Sequence, residues 1–236
     1  MKITPPLLSG TFIKRYKRFF TDIRTEQGDI ITVHCPNTGS MRNCQQPESP
    51  CWYSLSDNPK RKLAGTLEIV TTAFGNLAGV NTARPNHLVR EAIEADLIPQ
   101  LRGFSTVRSE VRYGDEKSRI DLLLESDGEC CYVEVKNVTL DCGNGLAQFP
   151  DAVTSRGAKH LRELMAMVAA GHRAVLFFCV QLSGVKEVAV AEDIDPLYAE
   201  TLAMAMAAGV EVLVWQADLS AQDISLQRPL RFAVQG

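Results

Sequence analysis

Over the first third of the chain, apolar and polar residues alternate in short runs. LLSGTFIKRY (7–16), RFFTDIRT (18–25) and IITVHC (30–35) each read as a β-strand, and Gln27-Gly28-Asp29 turns the chain between the last two. CWYSLS (51–56) and LAGTLEIV (63–70) add two more, and the spacing predicts an antiparallel meander that closes as a barrel. Turn residues crowd 76–85, which places a domain boundary near residue 82. Beyond it the period changes. Asn86 is the expected cap of a helix over 87–98, with Leu88, Val89, Ala92 and Ile93 on its apolar face. FSTVRSEVRY (104–113) alternates as a strand. A second helix is expected to open at Pro150 or Asp151 and to bury Val153, Leu161, Leu164, Met165 and Val168. AVLFFCVQL (174–182) is apolar enough for a strand covered on both faces. A helix over 196–209, with Met204 and Met206 in the core, and a last strand over 210–219 complete an α/β pattern.

The stretch 119–140, RIDLLLESDGECCYVEVKNVTL, combines pattern with chemistry. Ile120 to Leu124 is apolar except for Asp121. Tyr132 to Val138 alternates, with Val133 and Val135 on one side and Tyr132, Glu134 and Lys136 on the other. The polar linker 126–129 has hairpin composition. Residues two apart in a strand stand roughly 6.6 Å apart, which suits groups converging on one ligand. Mg²⁺ takes oxygen ligands and is held by one or two carboxylates with substrate phosphate and water. Asp121 and Glu134 could supply those oxygens, with the carbonyl of Val135 as a third. Lys136 could steady the attacking water or developing charge. The same pattern also fits a surface ion pair on an amphipathic hairpin, although a carboxylate inside an apolar run needs a partner. The Gly-rich stretch 141–149 is expected to be a loop over this site.

Charge changes the picture through its distribution. The net charge is −3, yet residues 1–82 hold ten Lys/Arg against six Asp/Glu and the remainder fifteen against twenty-two. A basic first half joined to an acidic second half points to nucleic acid in the first and a metal site in the second. Lys14, Arg15, Tyr16, Lys17 and Arg18 interleave basic and aromatic residues, a composition that tracks phosphates and stacks bases. Solvated strand residues with aromatics in the core are the plainer alternative. Lys60-Arg61-Lys62 adds a second basic run. On the second helix, Arg156 and Lys159 are candidate phosphate contacts, His160 a candidate proton shuttle, and Lys159–Glu163 the plain i,i+4 alternative.

No apolar run is long enough to span a bilayer, and the N-terminus lacks the apolar segment of a signal peptide. The seven cysteines show no C-x-x-C spacing. Reduced thiols in a cytoplasmic protein are expected, with a zinc site from His34, Cys35, Cys44 and Cys51 as the alternative. The loop HCPNTGSMRNC (34–44) reads as a structural turn or as an anion-binding nest.

The D…ExK set of Asp121, Glu134 and Lys136 resembles the core of the PD-(D/E)xK nuclease superfamily. More specifically, HCPNTGSM, NTARPNHLVREAI, SRIDLLL, YVEVKNVTL, FPDAVTSRGAKHLREL and GVEVLVW run almost end to end through the chain and resemble the sugar fermentation stimulation protein A family. That resemblance implies an OB-like β-barrel over 1–82 and a PD-(D/E)xK restriction-endonuclease-like α/β domain over 83–236, α+β overall. It also implies DNA binding with little sequence preference and a role in regulating sugar (maltose) use. In the superfamily an acidic residue on the first helix can approach the metal. Glu91 is that candidate here and Glu94 the second, with Glu110 on the following strand a lesser one.

Two function classes follow. One is a DNA-binding regulator that retains a nuclease-like Mg²⁺ site, with no helix-turn-helix reader in view. The other is an active Mg²⁺- or Mn²⁺-dependent nuclease that leaves a 5′-phosphate and a 3′-hydroxyl, by analogy with the superfamily. RNA remains open as a ligand, and so does a homo-oligomer.

Overall fold

The computed structural model describes residues 1–116 and 118–233. The first half is a barrel. β1 (Leu8–Tyr16), β2 (Phe20–Thr25), β3 (Ile30–His34), β4 (Pro50–Leu55) and β5 (Gly65–Thr71) lie in the order β3-β2-β1-β4-β5, and His34 pairs with Thr66 to close the ring. Short β6 (Leu77–Gly79) extends β5. Alternation does what the sequence implied: Phe12, Ile23, Val33, Tyr53 and Leu67 point inward and are buried. At residue 65 the barrel tolerates no side chain, since a Cβ there would sit 2.5 Å from a Val33 methyl.

The second half is built on a six-stranded mixed sheet. Its order is β15 (Ile224–Pro229), β14 (Glu211–Leu219), β12 (Arg173–Val180), β9 (Glu129–Val138), β8 (Ser118–Ser126) and β7 (Thr106–Tyr113). β9, β12 and β14 run parallel, as βαβ crossovers require, and the flanking strands are antiparallel. Helix α1 (Arg84–Glu94) covers one face, while α2 (Ser155–Ala169) and α3 (Pro196–Ala207) cover the other. β12 is buried on both faces, in keeping with its apolar run.

A small second sheet, β10 (Leu140–Asp141), β11 (Leu146–Phe149), β13 (Glu187–Val190) and β16 (Arg231–Ala233), was not foreseen, because strands of two to four residues carry no readable period. It corrects two expectations. The stretch 141–149 is a hairpin and not a loose lid, and 210–219 is not the last strand, since β15 and β16 follow it.

Three helix expectations also change. Ala83, not Asn86, precedes α1, because Pro85 suits the first turn and Asn86 lies inside it. α2 begins at Ser155, where the Thr154 hydroxyl accepts from the Gly157 amide at 3.0 Å; Val153 therefore lies outside it and is 76% exposed. Met204 is exposed, and only Met206 packs against the core.

One continuous core joins the halves. Phe12, Ile23 and Leu67 of the barrel belong to the same buried cluster as Ile120, Leu161, Phe178 and Tyr198 of the second half. The loop 34–44 acts as a clasp. Ser40 donates through its hydroxyl to Asp151 Oδ2 at 2.9 Å, the Met41 amide to the same oxygen at 3.0 Å, and Asn43 Nδ2 to the Asp141 carbonyl at 2.8 Å. Buried Asp141 accepts in turn from Thr72 Oγ1 (2.7 Å), Asn76 Nδ2 (2.9 Å) and the Gly143 amide (2.9 Å). Among the described residues no helix is long and apolar enough to cross a membrane.

Candidate metal and nucleic-acid site

β8 and β9 pair from Ser126/Glu129 back to Leu122/Val133 and then part. Asp121 is the first residue beyond the last pair. Its carboxylate fills the opening, with Oδ2 accepting from the Val135 amide at 2.7 Å and Oδ1 from Asn86 Nδ2 at 2.8 Å. β7 and β8 both switch faces here. Val107 and Leu122 belong to the core under α1, whereas Val111 and Ile120 belong to the core under α2. The register places Glu110 opposite Asp121, and Glu110 has φ = 57°, a left-handed conformation inside a strand. Such strain in a non-glycine residue gathers at functional sites.

Glu134 lies on the α2 side of β9 and is 2% exposed. Its Oε1 accepts from Lys136 Nζ at 2.6 Å and from His160 Nδ1. Arg156 Nε donates to His160 Nε2 at 3.2 Å, which leaves the ring proton on Nδ1, facing the carboxylate. Glu134 Oε2 is buried with no hydrogen-bond partner, and so are the hydroxyls of Tyr113 and Tyr198.

The electrostatics follow. Burial pushes the Asp121 carboxyl up to about 6, and the negative charge of Glu134 pushes the same way, against the Val135 amide, Lys136 and Asn86. Glu134 is buried too, but Lys136 and His160 outweigh that burial and hold it below its ordinary value. Burial raises the Tyr113 and Tyr198 hydroxyls, and the nearby Glu134 charge raises both further, so both stay neutral.

The structure thus brings together Asp121, Glu134, Val135 and Lys136 of the sequence candidates, and adds Asn86 and His160. The oxygens fit a hard divalent cation: two carboxylates, one with a buried lone oxygen, and the Val135 peptide between them. Among the described residues no three of His, Cys, Asp and Glu gather as a metal site. Cys35 instead contacts Met41 Sδ at 3.4 Å and Cys44 the Thr139 carbonyl at 3.2 Å. Glu91 is not brought to the centre. It is 56% exposed, with Oε2 on the Met1 ammonium at 2.9 Å, and Glu94 pairs with Arg90 at 2.7 Å. Asn86, one turn earlier, is the α1 residue that reaches Asp121. Its amide type suggested a cap, which hid that role.

The basic candidates divide. Arg15 is committed to structure, with Nη2 donating to the carbonyls of Asn37 (2.7 Å) and Gly39 (3.0 Å) and Nε to that of Arg18 (3.1 Å). Lys17 and Arg18 form the exposed tip of the β1–β2 hairpin, with φ of 49° and 63°. Lys14 is exposed over the Tyr16 ring and 3.7 Å from Asp22. Tyr16 stacks on Phe20 and donates to Asp22 at 3.2 Å. Arg156 serves His160. Lys159 donates to the Glu116 carbonyl, not to Glu163, whose Oε1 accepts the Glu116 amide at 2.8 Å. The alternative reading, a Lys159–Glu163 pair, gives way to a joint grip on the turn after β7.

Comparison with known proteins agrees with this architecture. Residues 13–80 match the family model described as SfsA N-terminal OB domain, and residues 83–223 match that described as Sugar fermentation stimulation protein RE domain. A sugar fermentation stimulation protein homolog of Teredinibacter turnerae is 56% identical over 230 residues, covering 98% of each chain. One of Shewanella piezotolerans is 57% identical over 221 residues, covering 93% of this chain and 94% of its own. The solved structure of Pyrococcus furiosus SfsA in complex with Ca²⁺ is 26% identical, with a TM-score of 0.87 over 99% of this chain and 98% of that one.

Proposed function

We propose that this chain, which belongs to the sugar fermentation stimulation protein family, binds DNA with little sequence preference and hydrolyses its phosphodiester bonds at a divalent-cation centre. The cation would be Mg²⁺, with Mn²⁺ as a substitute, held by Asp121, Glu134 and the Val135 carbonyl. One observation carries the reading: Glu134 Oε2 is buried without a partner beside the half-buried carboxylate of Asp121. A buried charged oxygen without a partner calls for one, and a cation supplies it at the lowest cost. The Ca²⁺ of the Pyrococcus furiosus relative supports the same class, since Ca²⁺ and Mg²⁺ both take oxygen ligands.

A bound divalent cation supplies charge neutralisation at phosphoryl oxygens and lowers the pKa of its water. The chain's own groups do the rest. Asn86 and the Val135 amide hold both Asp121 oxygens in place. Lys136 carries an ammonium beside Glu134, placed to orient a water or meet charge on phosphorus. His160, oriented by Arg156, keeps Glu134 ionised. The exposed Lys14, Lys17 and Arg18 of the barrel supply phosphate contacts of the kind that bind without reading bases. RNA is a second substrate to test.

A second reading has its own support. Lys136 and His160 both engage Glu134 Oε1, an arrangement that also suits a DNA-binding regulator of sugar use whose centre holds a cation without turnover. A cleavage assay separates the two. Single-stranded, duplex and branched DNA and RNA are incubated with Mg²⁺, Mn²⁺ or EDTA, using the parent, Asp121→Ala and Lys136→Ala. Metal-dependent cutting lost in both variants is expected. Intact substrates with DNA binding retained in all three proteins would leave the regulator reading.

A further inference from the structure

Beside this centre, β7 and β8 carry two arginines that no part of the proposed chemistry uses. Arg112 and Arg119 are direct cross-strand partners, and both are exposed. Opposed residues of an antiparallel pair have Cβ atoms about 5 Å apart, and like charges in that position oppose each other. Two other exposed arginines of this half have a counter-ion: Arg108 on the same strand pairs with Glu125 at 3.3 Å, and Arg162 with Glu116 at 3.1 Å. Arg112 and Arg119 make no hydrogen bond or ion pair among the described residues.

Their surroundings point to a ligand. The two line a cleft of about 660 Å³ together with Tyr113, Gly114 and Ser118. Tyr113 and Ser118, the next cross-strand pair, are buried, and Tyr113 packs in the core under α2, so strand alternation turns the two arginines to the other side. The cleft adjoins the carboxylates, because Tyr113 lies close enough to Asp121 and Glu134 to feel both charges. Arg119 also precedes Asp121 by two residues on β8, a span of roughly 6.6 Å along the strand.

We propose that Arg112 and Arg119 form a clamp for one internal phosphodiester of the bound DNA strand, next to the Asp121–Glu134 centre. Paired guanidinium forks match the oxygens of a phosphate, and an anion between them turns mutual repulsion into joint attraction. The inference rests on the DNA-binding reading above and names the group that seats the strand at the carboxylates.

The test is fluorescence anisotropy of a labelled DNA duplex against salt, in Ca²⁺ and in EDTA. The proteins are the parent, Arg112→Gln, Arg119→Gln, the double variant, and Arg231→Gln as a remote control. Two arginines on one phosphate make the double variant lose about one unit of the log Kd–log salt slope. Affinity at moderate salt should fall about tenfold, with 5′-phosphorylated and 5′-hydroxyl DNA alike. Arg231→Gln should keep the parental slope, and the double variant should melt no earlier than the parent, since it loses a like-charge pair.

A parental slope in the double variant overturns the clamp and leaves DNA binding by the rest of the chain standing. A loss near two units means separate phosphates, and a loss confined to 5′-phosphorylated DNA means a strand end; either overturns the shared internal clamp. A parent that binds no DNA overturns both the clamp and the reading beneath it.

Discussion

The Val135 amide donates to Asp121 Oδ2 at 2.7 Å across the point where β8 and β9 part. The carboxylate takes the place of a strand partner, so one side chain both bridges the opening and stands ready for a cation. This double use has a measurable cost. The Asp121 carboxyl titrates near 6 in the folded chain against an ordinary 3.8. The folded state therefore holds the proton more tightly, and stability is lost as pH rises through about 6, by about 3 kcal/mol at most. Asp121→Asn avoids that loss. Urea unfolding in EDTA should find the variant more stable than the parent at pH 8, by about 1–3 kcal/mol, and nearly equal to it at pH 4. A variant weaker at pH 8 would show that the carboxylate's hydrogen bonds outweigh its burial.

Cation binding should reverse that order. A ligand at a hundred times its Kd stabilises by about 2.7 kcal/mol. Thermal melts in MgCl₂ or CaCl₂ should therefore rise for the parent and stay flat for Asp121→Asn and Glu134→Gln. The rise should shrink at pH 5, where Asp121 keeps its proton. Equal shifts in all three proteins would place the cation elsewhere.

Gly114 sits at φ = 69° where the turn after β7 meets α2, and a Cβ there would stand 1.7 Å from Glu163 Oε2. Gly114→Ala should cost about 1–3 kcal/mol, from backbone strain and the displaced carboxylate. Chemical denaturation gives the loss. A neutral result would mean that Glu163 yields easily, and that its bond to the Glu116 amide holds the turn only weakly.

Asp141 accepts from three donors, two of which, Thr72 and Asn76, reach it from the first half. Asp141→Ala leaves the Thr72 hydroxyl, the Asn76 amide and the Gly143 N–H without their acceptor, a loss of about 3 kcal/mol or more. Denaturation of the variant measures it, and hydrogen exchange should rise first around 72–76 and 141–146. A loss below about 1 kcal/mol would assign the junction to apolar packing alone.

The centre was legible to the extent that period-two alternation placed it. Glu134 and Lys136 share a strand face by parity alone, and Asp121 stood out as a carboxylate in an apolar run. Asn86 and His160 were harder, because an amide at a helix start reads as a cap and a single histidine on a helix reads as nothing in particular. Glu91 was chosen for its charge, but its place on α1 takes it to the Met1 ammonium. The barrel strands were readable one by one. Their closure through His34 and Thr66 was not, because register is set by contacts across more than thirty residues. The arginine pair shares that difficulty: Arg112 and Arg119 become neighbours only once the β7–β8 pairing is known. Buried Glu68 was equally hidden inside an apolar strand run, where it anchors Arg84 of α1 at 2.9 Å.

The clasp between loop 34–44 and the second half bears on how the molecule comes apart. Two family descriptions divide the chain, but buried side chains run across that division without a gap. The first residues add to this, as the amides of Ile3 and Leu7 donate to the carbonyls of Gln222 and Ala221 beyond β14. Separating the barrel would strip Met41 and Cys44 of their cover and leave Asp141 facing solvent, a wound to both pieces at once. Such a chain melts as one cooperative unit, and its calorimetric trace should show one peak where a beads-on-a-string protein would show two.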